Sequence, residues 1–239
     1  MSVSGSVRDD LTISVVMPVL NEAARIGERL SELARFAFRE VIVVDGGSDD
    51  ETRDIARSFP GVLVVEAARG RACQMNEGAR HATGDALLFL HADVSLPADA
   101  AVHIRRTLAL ADNAAGAFRT WTVVDGVGPG PWWSPLLHLA DIRSRYSRLP
   151  YGDQAIFLRR EVFRDVGGVP EMPLMEDLEF SLRIRRIGRI RIVPARVMVS
   201  GRRFIERPLF YAMLMNVFPL LYRCGVPPCR FARIYKAVR

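Results

Sequence analysis

Lysine is almost absent from this chain of 239 residues, since Lys236 is the only lysine among its 33 basic residues. A P-loop needs a lysine next to its glycine-rich turn, and a Schiff-base enzyme needs one in its active site. The single lysine lies close to the C-terminal end of the sequence. P-loop kinases and pyridoxal enzymes are therefore excluded.

Cysteine is also scarce, and the first residues contain no long apolar run. Cys73, Cys224 and Cys229 are odd in number and lack the spacing of a zinc site. That pattern favours a reducing compartment and no disulfide framework. The first residues include Asp9 and Asp10 and no apolar core, so they do not predict a signal peptide. We therefore expect a cytoplasmic protein.

The apolar segment Tyr211–Val226 is too short to span a bilayer and is interrupted by Asn216, Pro219 and Arg223. Two interpretations stay open for it. It is either an interfacial helix with flanking arginines, in peripheral contact with the inner face of a membrane, or a helix packed against the protein body.

Positive charge is concentrated at the C-terminal end. The net charge is +6, yet residues 181–239 contain fourteen Arg or Lys and one acid, Glu206. A cationic segment on a mildly acidic body predicts an anionic partner, such as phosphate or a membrane surface. Nucleic acid is disfavoured because the basic segment contains no recognised binding motif.

Strand and helix signals alternate through the first half, as expected of βαβ units in one α/β domain. Right-handed crossovers would place the C-terminal ends of the first four strands along one edge of a mostly parallel sheet. The predicted strands are Thr12–Val19, Glu40–Asp45, Gly61–Glu66, Leu87–Leu90 and Ala155–Leu158. The predicted helices are Glu22–Phe36, one from Ser48 or Asp49 through Ile55, Ala72–His81, Pro97–Ala111, Leu136–Arg148 and Leu178–Ile187, with a loop at Gly126–Pro135.

The most informative segment is the apolar run Ala86–Leu90, which is followed by His91 and Asp93. A carboxylate just past a buried strand lies where open α/β sheets hold their ligands. An aspartate there is able to hold a divalent cation against a phosphate-bearing substrate. Alternatively, Asp93 caps the helix after Pro97, or a turn.

Polar residues follow two other predicted strands. Asp45 precedes paired glycines that would let the backbone approach a ligand, and its carboxylate would accept hydrogen bonds from a base or ribose. The segment from Pro18 to Glu22 ends the first strand. Both segments are also compatible with ordinary turns.

Two further functional sites are predicted at the N-terminal ends of helices. Arg69 and Arg71 precede a helix, where free N–H groups favour a diphosphate, although a solvated loop explains them too. Farther along, Glu176 and Asp177 lead into the last predicted helix. One of them is either a general base in the cleft or only an N-cap.

Six short motifs follow one another along the chain: Pro18-Val-Leu-Asn-Glu22, Val43-Val-Asp-Gly-Gly-Ser-Asp-Asp50, Arg69-Gly-Arg-Ala, Phe89-Leu-His-Ala-Asp93, Gly152-Asp-Gln154 and Met175-Glu-Asp177. Taken in order, these motifs resemble the family-2 nucleotide-sugar glycosyltransferases of GT-A fold, from about Thr12 to the C-terminal end. Three segments are similar, more narrowly, to a small bacterial subgroup associated with arsenosugar biosynthesis: Arg-Gly-Arg-Ala, Leu-His-Ala-Asp and Leu-Met-Glu-Asp.

The resemblance implies a role for each matching residue. Asp93 corresponds to the last aspartate of an Asp-x-Asp metal motif for Mg²⁺ or Mn²⁺, while His91 replaces the first aspartate. Asp177 corresponds to the base of inverting enzymes. Donor binding falls to Pro18, Asn21, Glu22, Asp45, Gly46, Arg71, Arg202 and Arg203, with Phe204 in place of a tryptophan. Acceptor binding falls to Gly152, Asp153, Gln154 and Glu176.

The expected protein is thus an inverting, metal-assisted glycosyltransferase that uses a nucleotide-diphosphate sugar and a small-molecule or lipid-linked acceptor. Residues 1–200 would form the catalytic GT-A domain, and residues 201–239 a basic amphipathic helical extension packed on it. Two alternatives remain. A non-catalytic sugar-nucleotide-binding or membrane-adaptor module is suggested by His91 and the basic C-terminal end. A sugar nucleotidyltransferase is disfavoured because a glycine-rich loop with a lysine is missing after the first strand.

Overall fold

The computed structural model describes residues 11–123, 148–201 and 217–230, together with residues 138, 141, 142, 144 and 145. In these residues an eight-stranded sheet is flanked by helices. The strands are β1 Ile13–Val19, β2 Glu40–Asp45, β3 Val62–Glu66, β4 Ala86–Phe89, β5 Val94–Ser95, β6 Asn113–Val123, β7 Phe157–Arg159 and β8 Arg189–Ser200. The helices are α1 Ala23–Leu33, α2 Thr52–Arg57, α3 Arg71–His81, α4 Ala100–Ala109, α5 Arg160–Asp165 and α6 Glu176–Ile187, with a short 3₁₀ turn at Gly152–Gln154.

The strand order is β3-β2-β1-β4-β7-β6-β8-β5. Strands β1 to β4 are parallel to one another, so their C-terminal ends share one edge, as predicted. The α/β prediction is confirmed, but the sheet is more mixed than expected. Strand β7 is antiparallel to β4 and β6, and β5 is antiparallel to β8.

Both faces of the central strands are buried, which explains their continuous apolar sequences. In β1, Val15 and Met17 join the core beneath α1 and α4, whereas Val16 joins the core beneath α3 and α6. Helix α3 approaches the sheet closely at Gly78. A Cβ placed there would lie 2.4 Å from Val16 Cγ1. The missing side chain therefore sets the depth of α3 and of the residues at its N-terminal end.

An aromatic cluster fixes α5 and α6 against the sheet. Phe89 at the end of β4 contacts Phe163 and Phe180, with ring centroids 5.6 and 6.1 Å apart. Phe163 and Phe180 also meet edge to face at 5.9 Å. Burying these rings together places the start of α6 beside the end of β4.

Two long strands and one helix start differ from the predictions. Strands β6 and β8 form a parallel pair that was not predicted, although β6 ends in aromatic and β-branched residues and β8 begins with alternating arginine and isoleucine. The prediction that the second helix starts at Ser48 or Asp49, with that residue as its N-cap, is wrong. That helix begins at Thr52, and Ser48 is used instead to join two loops.

The C-terminal part is described only over 217–230. Residues 217–223 are helical, and Phe218 packs against Met175 and Leu178 of the α6 region. The predicted loop Gly126–Pro135, part of the predicted helix after it, and Arg202, Arg203 and Phe204 lie outside the described residues. The boundary at residue 200 stays a prediction. Among the described residues, no helix has the length and apolar character needed to cross a bilayer.

Candidate active site

The loops that follow β1 and β2 are joined by hydrogen bonds. The backbone N–H of Asn21 donates to Ser48 Oγ at 2.9 Å, and Asn21 Oδ1 accepts from the Asp49 N–H at 3.1 Å. The Glu22 N–H donates to Thr52 Oγ1 at 2.8 Å. Asn21 adopts a positive φ of 54°, a conformation that asparagine tolerates better than most residues. The two predicted donor loops therefore form one surface.

The Asp45 carboxylate is fully buried and shapes its own turn. Its Oδ2 accepts the N–H groups of Gly47 and Ser48 at 3.0 and 2.9 Å, and its Oδ1 accepts from Ser48 Oγ. Arg53 Nε lies 3.9 Å from Oδ2. The turn interpretation is thus correct for Asp45. The same hydrogen bonds hold the loop that Asn21 contacts, so the turn also builds the surface.

Gln74 is a structural residue of this site that sequence reasoning did not identify. Its side chain is 4% exposed, and its Nε2 donates to the carbonyls of Val19 and Val44 at 2.7 and 2.8 Å. These carbonyls lie at the ends of β1 and β2. A Cβ at Gly46 would come within 3.0 Å of Gln74. Gln74 therefore locks α3 to both strand ends beneath the donor loops.

Arg71 is the first residue of α3 and lies next to Glu176. Its Nη1 is 3.5 Å from Glu176 Oε1, and its own side chain is partly exposed. Burial raises the pKa of the Glu176 carboxyl, the neighbouring Asp177 charge raises it further, and Arg71 opposes both. A mobile anion near Arg71 would therefore compete with a buried carboxyl for the same guanidinium.

Three chain segments meet at Gly152. Its N–H donates to Asp177 Oδ2 at 2.9 Å. A Cβ at Gly152 would lie 2.9 Å from His91 Nε2 and 3.5 Å from Asp177 Oδ2. Only a glycine leaves room for the imidazole and the carboxylate at this corner. The end of β4, the 3₁₀ turn and the start of α6 are brought together there.

Asp177 is not a helix cap, and neither is Glu176. The N-cap of α6 is Met175, whose φ is 69°, so both carboxylates lie in the first turn of the helix. A carboxylate in that turn interacts favourably with the positive end of the helix dipole. The N-cap interpretation is therefore wrong for both residues, and the Asp177 side chain faces the corner at Gly152.

The residues of the 3₁₀ turn differ in how deeply they are buried. Gln154 is buried, its Oε1 accepts from the Tyr151 N–H at 3.1 Å, and its Nε2 donates to the Phe118 carbonyl at 3.0 Å. Its amide thus holds the turn in place. Asp153, between Gln154 and Gly152, is half-buried.

Asp93 lies in a turn that leads from β4 into β5. The Val94 N–H donates to the His91 carbonyl at 3.1 Å, and the Asp93 carbonyl accepts from the Ser200 N–H at 3.0 Å. Helix α4 begins later and has Asp99 at its N-cap. Asp93 therefore caps no helix, and its turn is anchored to the last residue of β8.

A buried arginine supports that turn from behind and was also missed. Arg29 of α1 donates from Nε to the Ala92 carbonyl at 3.4 Å and from Nη1 to Ser95 Oγ and to Glu32. Burial lowers the pKa of Arg29, and the Glu28 and Asp93 charges oppose that shift. The guanidinium is thus a fixed cation beneath the Asp93 turn.

The sequence offered a weak signal for both missed residues. Arg29 lies on the apolar face of α1, beside Ile26, Leu30 and Leu33. Gln74 similarly precedes the buried Met75. A polar residue on a buried helix face needs a partner, because an unpaired buried group is costly. The pattern predicts a hydrogen bond but not its partner.

Two side chains near the end of β4 are the candidate ligands for the predicted metal ion. Within the described part of the chain, no three His, Cys, Asp or Glu side chains converge as a metal cluster. His91 and Asp93 remain, two residues apart in one turn. Mg²⁺ is often held by one or two carboxylates, with substrate phosphates and water completing its shell. The residues therefore fit an ion that binds together with a diphosphate.

The structure thus groups most of the predicted residues along one edge of the sheet. Pro18 lies in β1 opposite Val44 and leads into the donor loops. Arg71 lies beside Glu176, and His91 lies beside Gly152 and Asp177. Arg202 and Arg203 fall outside the described residues, although Gly201 just before them donates to the Val123 carbonyl at 2.7 Å.

Known structures share this fold. The chain is similar to the Staphylococcus aureus protein TarS, residues 1–349, in complex with UDP-GlcNAc, with a TM-score of 0.60 and 22% identity over 80% of this chain and 59% of that one. The same protein in complex with UDP gives a TM-score of 0.61. At this identity the likeness shows the fold alone. The fold is GT-A-like.

Curated relatives match a shorter stretch. A PGL/p-HBAD biosynthesis glycosyltransferase of Mycobacterium bovis is 43% identical over 91 residues, which are 35% of this chain and 36% of that protein. Glycosyltransferase AglE of Haloferax volcanii is 34% identical over 93 residues, 35% of this chain and 31% of that protein. The chain therefore matches about a third of the length of these relatives.

The match to a family model is more extensive. The model "Glycosyl transferase family 2" matches residues 14–167, which include the donor loops, the Asp93 turn and the 3₁₀ turn. Asp177 lies just beyond the matched span, at the corner built by Gly152. Because the match covers more than half of the sequence, the chain belongs to glycosyl transferase family 2.

Proposed function

We propose that this protein is an inverting, metal-assisted glycosyltransferase that moves a sugar from a nucleotide-diphosphate sugar to an acceptor hydroxyl. The observation that carries the proposal is the meeting of His91, Gly152 and Asp177 next to the Arg71–Glu176 pair. The UDP-GlcNAc and UDP complexes of the TarS neighbour support the donor class.

The reaction follows from the residues at the corner. The acceptor oxygen forms a bond to the anomeric carbon, the bond from that carbon to the diphosphate breaks, and Asp177 takes the acceptor proton. Arg71 interacts with the diphosphate as its negative charge develops. A divalent ion held by Asp93 and His91 would supply further charge neutralisation. Attack opposite the leaving group inverts the anomeric configuration.

A single carboxylate base is enough for this displacement. Glu176 is buried and held against Arg71, so we assign it to positioning the arginine and lining the acceptor side. The acceptor-facing turn contributes Gly152 and Asp153, and Gln154 stabilises that turn. Pro18, Asn21, Glu22, Asp45 and Gly46 would form the surface for the nucleoside, and Arg202 and Arg203 would reach the phosphates.

The acceptor is a small molecule or a lipid-linked one in this proposal. The narrower resemblance to the arsenosugar-associated subgroup would make it an arsenic-containing or related small molecule. A cytoplasmic location with peripheral contact at the inner membrane face belongs to the same proposal. All three cysteines, Cys73, Cys224 and Cys229, are free thiols, which is compatible with a reducing compartment.

Thermal unfolding with added nucleotide tests donor and metal binding. UDP with Mn²⁺ should raise the Tm of the wild type, and Asp93→Ala should abolish that rise, because a ligand that binds only the folded state stabilises it. Asp112→Ala is the matched control, since Asp112 is exposed and precedes β6, whose N-terminal end lies at the sheet edge opposite the site. Absence of a shift with UDP, GDP, CDP or dTDP would refute the proposal.

Turnover tests the base. Asp177→Asn should keep the nucleotide-induced Tm shift and lose at least about 100-fold in turnover, as expected when a general base is removed. Turnover is read as nucleotide diphosphate released from a sugar-nucleotide panel. Retained turnover would remove Asp177 from this role. Nucleotide binding by the wild type with no transfer to any of a broad acceptor panel would instead identify the binding module suggested by His91.

A further inference from the structure

The helix at 217–223 has an inner face that holds it on the protein body. Phe218 is 3% exposed and packs against Met175 and Leu178 at the start of α6. The Tyr222 hydroxyl donates to Glu179 Oε2 at 2.8 Å. Burial and this carboxylate raise the pKa of Tyr222 to about 12, so the hydroxyl keeps its proton. The helix is therefore docked on α6, the helix that carries Asp177.

The outer face of the same helix is apolar and uncovered. Val217, Leu220 and Leu221 are 38%, 61% and 38% exposed, and Cys224 is exposed as well. Cys224 directly follows the last helical residue, and its N–H still donates to the Leu220 carbonyl at 3.0 Å, so the spacing of i, i+3, i+4 and i+7 places all four side chains on one stripe. A helix with one packed apolar face has no folding reason for a second one. A clustered apolar stripe at the surface is typical of an interaction site.

The described residues around this stripe in the chain are cationic. Arg223 and Arg230 are exposed, and residues 217–230 contain no acid. Arg148, from another part of the chain, is also exposed and precedes Leu149, which packs into the same small core as Phe218. The segment 217–230 is thus cationic, and Arg148 adds an exposed charge next to the small core that holds the helix.

The positive charge near the stripe determines which kind of partner is able to bind it. A second copy of the chain would place arginines against arginines across the stripe, and like charges oppose such contact. An anionic bilayer fits both features. Its apolar interior accommodates the stripe, and its phosphate headgroups attract the arginines. Apolar side chains flanked by arginines are the features of interfacial helices.

We propose that the stripe formed by Val217, Leu220, Leu221 and Cys224 is a peripheral docking surface for an anionic lipid bilayer. Binding is weak and reversible, because each arginine near an anionic surface contributes about 1 kcal/mol and the stripe is short. One consequence rests on the function proposed above: since Phe218 contacts the helix that carries Asp177, docking holds the acceptor side of the cleft close to the membrane.

Vesicle flotation tests the surface directly. The full chain should float with phosphatidylglycerol–phosphatidylcholine vesicles at low salt, less so at high salt, and not with phosphatidylcholine alone. The double change Leu220→Gln and Leu221→Gln should reduce the floating fraction at least about fivefold. Leu110→Gln, at a leucine elsewhere whose exposure lies between those of Leu220 and Leu221, is the control and should float like the wild type.

Two outcomes would overturn the proposal. In one, the wild type stays at the bottom of the gradient with anionic vesicles; in the other, the double variant floats as well as the wild type. Folding and donor binding are checked separately by the UDP and Mn²⁺ Tm shift without vesicles, which the double variant should keep. A missing shift in the wild type counts against the proposed enzyme, whereas flotation reports on the surface alone.

Discussion

At the scale of single residues, the site depends on how buried charges are paired. Arg71 faces Glu176, Arg29 supports the Asp93 turn, and the Asp177 carboxylate is held by the Gly152 N–H. Each of these contacts joins residues that are far apart in the sequence. Arg29 is itself buried, so losing one of its partners is costly because the cation would stay buried with fewer hydrogen bonds.

Glu176 gives a pH-dependent prediction. Its folded pKa is raised, first by burial and then by the Asp177 charge, against an ordinary value of 4.5. Below 4.5 the carboxyl is protonated in both states and costs nothing. As the pH rises through the raised pKa of the folded state, Glu176 becomes charged in a buried position. The free energy of unfolding therefore decreases. Glu176→Gln should therefore raise the Tm at pH 7, and the gain should vanish below about pH 4.5.

Calorimetry of both proteins between pH 4 and pH 8 measures this effect. Glu171→Gln serves as the control, because Glu171 is exposed on the chain just before the helix. Its Tm should follow the wild type at every pH. A lower Tm for Glu176→Gln at pH 7 would mean that the Arg71 contact outweighs the burial of the charge.

At the scale of elements, α3 connects the fold to the site. It carries Arg71 at its first turn and Gln74 against the ends of β1 and β2. Its distance from the sheet is set by Gly78, since a Cβ there would lie 2.4 Å from Val16 and 2.8 Å from Val44. The helix therefore cannot keep its position if a larger residue replaces this glycine.

Gly78→Ala should lower the free energy of unfolding by about 1–3 kcal/mol, the usual cost of overpacking, and should weaken the nucleotide-induced Tm shift because Arg71 and Gln74 move with α3. Gly27→Ala in α1 is the matched control. Its added Cβ would meet Ile55 at 3.5 Å, an ordinary contact, so alanine should stabilise that helix by about 0.5–1 kcal/mol. Denaturant unfolding measures both.

An unchanged nucleotide shift in Gly78→Ala, together with the expected loss of stability, would contradict the coupling of α3 depth to donor binding. Equal effects of the two substitutions would contradict the close approach at Gly78. Both substitutions add the same methyl group to a helical glycine, so the two variants differ only in the surroundings of that group.

At the scale of the whole molecule, a large two-sided core and a small third core hold the described parts together. The third core joins Met175 and Leu178 with Phe218 and includes Leu149 and Tyr222 at its margin. It connects the predicted C-terminal extension to the helix of the proposed base. The extension should therefore unfold with the body and not before it.

Phe218→Ala should lower the free energy of unfolding by about 3 kcal/mol, as expected for truncating a buried phenylalanine, while calorimetry still shows one transition. Val217→Ala removes an exposed neighbour and should change stability by less than about 0.5 kcal/mol. Two separate transitions in the wild type would show that the extension is an independent unit.

Some features followed from the sequence alone. The alternation of apolar runs and helix signals predicted the four parallel strands and the edge at which their loops meet, because burial on both faces imposes continuous apolar strands. The order of short polar motifs indicated the family, which the match over residues 14–167 confirms. The roles of Asp93, His91 and Asp177 stay predictions.

Other features were decided only by the tertiary structure. The pair of β6 and β8 depends on contacts between segments far apart in the chain, and strand-forming residues within each segment do not identify the partner strand. The hydrogen-bond partners of Gln74 and Arg29 could not be inferred either, because the position of a polar residue on a helix does not identify the group that it will contact. Sequence fixes which groups need burial or a partner, and packing in three dimensions selects the partner.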